Sequence, residues 1–144
     1  MDERIEVALK GEEFKRLLGN QFIDIKNRYG LKTVDIEILL YLSKCGEENT
    51  PSDIYRRIRI NKGHISQGID DLVKMGYIRA FADVDDRRVC HYMITESSDT
   101  VIEEIIGIKK NLERKILFGL TDDEVEQYKV MTCRILRNIE AMLQ

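Results

Sequence analysis

Between Asn61 and Thr95 a short amphipathic helix, a glycine stop and two β-rich runs follow one another directly, and that order narrows the possible folds more than any other feature. Ile65, Ile69 and Leu72 recur at i, i+4 and i+7, which puts them on one buried face. Gly63, Gln67, Asp70 and Lys74 fall on the opposite side, flanked by His64 and Ser66, so the outward face is small and polar. Gly76 supplies a left-handed C-terminal stop. Residues 77–82 and 89–95 are rich in β-formers and enclose the charged tip Asp83-Val84-Asp85-Asp86-Arg87-Arg88, which is a hairpin pattern.

Another helix precedes this segment. Thr50 is placed to cap backbone N–H groups, Pro51 fits the first helical position, and Asp53 faces the positive helix end. Ile54 and Ile58 share one side, while Asn61 offers a fresh N-cap and Gly63 weakens any continuous helix. Helix, tight turn, helix and hairpin in this order read as a winged helix-turn-helix, a mainly α fold with a small β-hairpin wing. A polar outward helix face suits a DNA groove reader. Arg87 and Arg88 suit the negative potential of a minor groove, whereas Asp83, Asp85 and Asp86 would be repelled by phosphate if they pointed outward. At least one carboxylate, with Asp86 as the candidate, is therefore expected to brace an arginine through a bidentate pair that leaves the other arginine free. The candidate DNA-contacting residues are Arg56, Lys62, Gly63, His64, Ser66, Gln67, Asp70, Arg87 and Arg88.

These residues resemble the MarR-type transcription regulators. The likeness rests on Leu72 to Gly76, on Asp83-Val84-Asp85-Asp86-Arg87-Arg88, and on Tyr92, Ile94 and Thr95, which follow the family's wing pattern of Asp-Pro-x-Asp-Arg-Arg, apolar residues and Leu-Thr. Val84 stands in place of the usual tip proline, Ser98 where a glycine often follows, and Gln67 and Asp71 at positions that are often arginine. The resemblance implies one MarR-like domain over residues 1–144. Residues 31–98 would form its DNA-binding region, and residues 1–30 and 99–144 its dimerisation helices. It also implies a homodimer on double-stranded DNA, acting more often as a repressor, and a small aromatic or phenolic effector held between the dimer and reading regions.

Residues outside the winged segment agree with that division. Phe14, Leu17, Leu18, Phe22, Ile25 and Tyr29 lie at helical spacings in a stretch over residues 6–29 that Gly30 ends. Thr33 is expected to cap a core helix carrying Ile36, Leu39, Leu40 and Ser43, ended by Gly46. A long helix from Asp99 bears Ile102, Ile105, Ile108, Leu112 and Ile116 and stops near Gly119. Thr121-Asp122-Asp123-Glu124 is a capping box, followed by a stripe of Val125, Tyr128, Ile135, Ile139 and Met142. Such long apolar faces exceed what a small winged helix can cover, so they predict burial against a second copy in a two-fold dimer. Two reading helices related by a two-fold axis require a pseudo-palindromic operator, with half-sites about 10 base pairs apart centre to centre.

Net charge first looks wrong for a DNA binder, since the chain carries −3. Its distribution resolves this. Residues 51–92 hold eight basic and six acidic side chains, a net of +2 that leaves −5 for the remainder, and residues 54–69 hold Arg56, Arg57, Arg59 and Lys62 with no acid. An acidic body with a basic edge orients a protein on DNA.

Other classes are poorly served. No Gly-rich phosphate loop, nucleophile elbow or metal-ligand spacing is present, so neither an enzyme nor a cofactor or metal is expected, and the paired carboxylates Asp70-Asp71 and Asp85-Asp86 read as solvent-facing. His64 and His91 are the only histidines, and His64 on the reading face is expected to contact DNA and not a metal. Cys45, Cys90 and Cys133 are an odd, scattered set, read as reduced and buried small hydrophobes, and residues 1–44 contain no cysteine of the kind peroxide-sensing relatives use. No apolar run approaches the ~20 residues of a membrane span, and the charged start Met1-Asp2-Glu3-Arg4 lacks a signal-peptide core, so a cytoplasmic protein is expected. The competing reading is a winged helix used for protein–protein contact without specific DNA binding.

Overall fold

The computed structural model describes residues 11–144. Two compact units divide it, one up to Lys109 and one from Lys110 to Gln144. The first holds helices α1 (Glu12–Gln21), α2 (Ile23–Tyr29), α3 (Thr33–Leu42), α4 (Pro51–Arg57) and α5 (Lys62–Lys74). Strands β1 (Ile78–Ala82) and β2 (Cys90–Ile94) follow, then a 3₁₀ turn at Glu96–Ser98 and α6 (Asp99–Ile116), whose last turns belong to the second unit together with α7 (Asp122–Met142).

Each boundary has a local cause. Thr50 Oγ1 accepts the Asp53 N–H and the Asp53 carboxylate accepts the Thr50 N–H, a reciprocal cap with Pro51 in the first turn. Asn61 caps α5 through the Gly63 N–H at 2.8 Å. At the other end of α5, Gly76 sits at φ +75° while its N–H and that of Tyr77 bond back to Val73 and Leu72, so the carbonyls of the last turn are satisfied. Thr121 and Glu124 repeat the reciprocal cap at α7.

Two expectations of the sequence need correcting. The helical pattern over residues 6–29 predicted one helix, and residues 6–10 lie outside the described residues. Over the remainder the helix breaks at Phe22, whose N–H bonds to Gly19 at 3.2 Å, an i→i−3 bond that tightens the turn and sends the Phe22 ring into the core. At α3 the cap lies one residue earlier than expected. Thr33 is the first helical residue and accepts from Lys26 Nζ, while Asp35 reaches back to the Lys32 N–H at 2.7 Å.

Ile25, Ile36, Ile38, Leu39, Ile54, Ile65, Leu72, Ile78 and Ile105 are sealed from solvent and form one core beneath the helix-turn-helix and hairpin. Tyr29 donates to Glu104, and Arg28 pairs with the same carboxylate at 2.9 Å, fastening α2 to the start of α6. Of the described glycines, Gly68 is the most tightly packed, where α5 crosses α3. A Cβ there would lie 2.9 Å from Ile38 Cδ1, 3.1 Å from Asp35 Oδ1 and 3.2 Å from Val34 Cγ1. Asp35 itself is fully buried, and burial pushes its carboxyl pKa up. Gly68→Ala should cost about 1–3 kcal/mol by crowding, offset by up to ~1 kcal/mol of helix propensity. A net loss in urea unfolding is expected; a gain would show that the two helices part freely.

Candidate nucleic-acid interface

Asn61 starts α5 with its outer face in solvent, so Lys62, Gly63, His64, Ser66, Gln67 and Asp70 are all exposed while Ile65, Ile69 and Leu72 are buried beneath them. Several of these side chains are already held. Ser66 Oγ and the Tyr55 hydroxyl are 2.8 Å apart, and the Lys62 ammonium lies 5.6 Å from the centre of the Tyr55 ring. Tyr55 on α4 therefore steadies two positions of the reading face. Its place next to Arg56 gave no sign of this role, because the contact spans the turn between helices.

Gln67 donates from Nε2 to Asp71 Oδ1 at 2.9 Å, and Asp71 also takes Lys32 Nζ at 3.1 Å. Those two donors, Gln67 first, hold the Asp71 carboxyl below its ordinary pKa. Asp71 thus braces the reading face instead of facing outward, unlike its neighbour Asp70, which is exposed. Gln67→Ala should change the base selected at one half-site position, because an amide that swings from Asp71 can make a bidentate contact to adenine. An unaltered selected sequence would show that Gln67 only spaces the helix.

The basic approach is less free than its composition suggests. Arg56 bonds Asp53 at 2.7 Å and Arg57 pairs with Glu48 at 3.4 Å, yet both arginine side chains remain more than half exposed. Such exposed pairs contribute little and exchange readily for a phosphate.

At the wing, β1 and β2 pair antiparallel from Ile78↔Ile94 to Ala82↔Cys90. The tip is shaped by Asp83, whose Oδ1 accepts the N–H groups of Asp85 at 2.8 Å and Asp86 at 3.0 Å. Asp86 Oδ1 accepts the Arg88 N–H at 3.0 Å, and Arg88 Nε stands 3.6 Å from the same oxygen with its side chain 95% exposed. The bidentate brace expected between Asp86 and an arginine is absent: a single long contact takes its place, because the carboxylate is turned toward the backbone. Arg87 is exposed beside it.

The Asp83 carboxyl is held below its ordinary pKa, first by the Asp86 N–H, then by His91, then by the Asp85 N–H. A carboxylate depressed in this way adds stability that is present above its unfolded value near pH 4 and disappears as pH falls through the folded one. The amide chemical shifts of Asp85 and Asp86 should accordingly stay constant down to about pH 4 and move toward random-coil values below it. Unchanged shifts in acid would show that Asp83 does not hold the turn.

The cysteines depart from the buried reading. Cys45 and Cys90 are half-buried and Cys133 is exposed on α7, a helix with no buried position. Among the described residues no group of three His, Cys, Asp or Glu side chains is placed to hold a metal ion, and no helix is long and apolar enough to cross a membrane.

The profile of the winged helix DNA-binding domain family matches residues 31–98. A MarR-family transcriptional regulator from Silicibacter pomeroyi has 19% identity and a TM-score of 0.77, over 91% of this chain and 87% of its own. A MarR protein from Peptoclostridium difficile has 19% identity and a TM-score of 0.79, over 99% and 91%. The S. aureus MepR–DNA complex matches at 17% identity and a TM-score of 0.61, over 92% and 98%. Residues 31–98 thus match the winged helix DNA-binding domain family and carry the helix-turn-helix and hairpin of that fold. The chain as a whole has the fold of the MarR-family transcriptional regulators.

Proposed function

We propose that this chain is a sequence-specific, double-stranded-DNA-binding transcription regulator that works in the cytoplasm as a homodimer on a pseudo-palindromic operator. The observation that carries this reading is the pairing, on one winged domain, of an exposed polar helix face with a hairpin whose tip presents Arg87 and Arg88. Lys62, Gly63, His64, Ser66, Gln67 and Asp70 would enter the major groove, Arg56 would meet the backbone, and the wing arginines would reach the flanking minor groove. The MepR–DNA complex supports the assignment by its shared fold.

The dimer reading is supported by α7. Tyr128, Met131, Ile135, Ile139 and Met142 follow one helical stripe and are between 39% and 85% exposed, on a helix of 21 residues with no buried position. A face of this kind needs a cover, and a second copy supplies an identical one.

A small aromatic anion is the effector class proposed here. A groove of about 460 Å³ between α3 and the segment joining α4 to α5 is lined by Leu40, Tyr41, Ile58 and Ile60 together with Thr33, Glu37, Arg57, Arg59 and Lys109. Apolar side chains with three cations against the single carboxylate of Glu37 suit a ring bearing a carboxylate or phenolate. Failure of every aromatic anion in a screen to release bound DNA would remove the effector from the account.

Selection from a random duplex library tests the central reading. An enriched inverted repeat with about one helical turn between half-site centres is expected; no enrichment would overturn it.

A further inference from the structure

We propose that His91 is a positioning residue for the wing, acting on DNA through Arg87 and Arg88 without touching it; this rests on the DNA reading above. A lone two-stranded hairpin is only marginally ordered in water, and the tip here extends beyond the last paired residues Ala82 and Cys90. Backbone bonds from Asp83 to Val89 and from Val89 to Asp86 close the tip, and His91 adds a side-chain tether from it to the body of the domain. Its Nε2 lies 2.8 Å from Asp83 Oδ2, and its Nδ1 lies 2.5 Å from Asn49 Oδ1. The ring is also stacked on Phe81, its cross-strand partner, with centroids 5.2 Å apart, and only 17% of the side chain is exposed.

The two ends of this bridge matter more than the bridge itself. Asn49 is buried, its carbonyl accepts the Tyr92 N–H at 3.0 Å, and it directly precedes Thr50, the residue that caps α4. Asp83, at the other end, holds the backbone of Asp85 and Asp86, and Asp86 in turn holds the N–H of Arg88. One continuous set of hydrogen bonds therefore runs from the start of the helix-turn-helix to the residue whose guanidinium leaves the tip. Fixing the tip before DNA arrives removes an ordering cost from binding, and it sets the direction in which both arginines project. Cutting the bridge at His91 should leave the core intact and release only the aim of the wing.

The test is a double-mutant cycle on the selected operator, measured by fluorescence anisotropy with wild type, H91F, R87A/R88A and the triple variant. H91F keeps a ring stacked on Phe81 and removes both nitrogens. It is expected to weaken binding about tenfold, to lose base preference only at the positions flanking the half-sites, and to add nothing in the R87A/R88A background. N49A, which cuts the far end of the bridge while leaving His91 in place, should show the same coupling and guards against a folding defect peculiar to H91F. Wild-type affinity in both H91F and N49A, or losses that add fully to those of R87A/R88A, would overturn the proposal alone. No specific binding by the wild type would overturn the DNA reading and this proposal with it.

Discussion

Glutamate at Ile135 and Ile139 together should leave the chain monomeric and lower its affinity for an inverted repeat by about 10²–10⁴-fold, the factor lost when two linked contacts become independent. Both side chains lie on the exposed stripe of α7, at 42% and 39% exposure. Substitution at exposed sites of this kind typically changes stability within about 0.5 kcal/mol, so loss of affinity through unfolding is not expected. Two like charges on each copy would face two more across a two-fold axis, where an isologous interface doubles every substitution. Binding to a single isolated half-site should be nearly unaffected, which separates loss of dimerisation from loss of reading. Sedimentation velocity gives the oligomeric state; a dimer that persists with full affinity would place the interface elsewhere.

Removing both wing arginines has the second largest expected effect. Each contact of this kind is worth on the order of 1–3 kcal/mol, and the two are close enough to be coupled, so their losses need not sum. Arg87→Ala with Arg88→Ala should cost most on sites with narrow A·T-rich flanks, where the minor groove potential is most negative. Two of the three tip carboxylates, Asp83 and Asp86, are turned away from this attraction. Asp83 is turned inward to His91 and the tip backbone, and Asp86 accepts the Arg88 N–H, so their charge is directed toward donors within the hairpin. Unchanged affinity in the double variant on every site would remove the wing from the interface.

Local chemistry was legible in the chain, and chemistry that crosses it was not. Thr50, Asn61, Gly76 and Thr121 mark helix ends where the structure has them, because a cap is decided within three or four residues. Asp35 escaped notice since Thr33 is the better capping residue by type, and burial of Asp35 against Gly68 depends on how α3 and α5 cross. The break at Phe22 was hidden because apolar spacing continues through it; only the core decides that the ring turns inward. On the reading face the exposed residues of α5 follow from periodicity, whereas the Tyr55 contacts and the Gln67–Asp71–Lys32 brace join separate helices. His91 is the extreme case, with partners 8 and 42 residues away in sequence. Periodicity reports which face is buried, and it carries no information about what a half-buried polar side chain meets there.

The most direct test of the account is the affinity of the purified protein for the selected inverted repeat and for scrambled DNA across a series of salt concentrations. A regulator that reads sequence should favour the repeat by at least about 10³-fold, with both affinities falling steeply as salt rises. Equal affinity for the two duplexes with a flat salt response would contradict DNA reading and favour a protein partner bound through apolar surface.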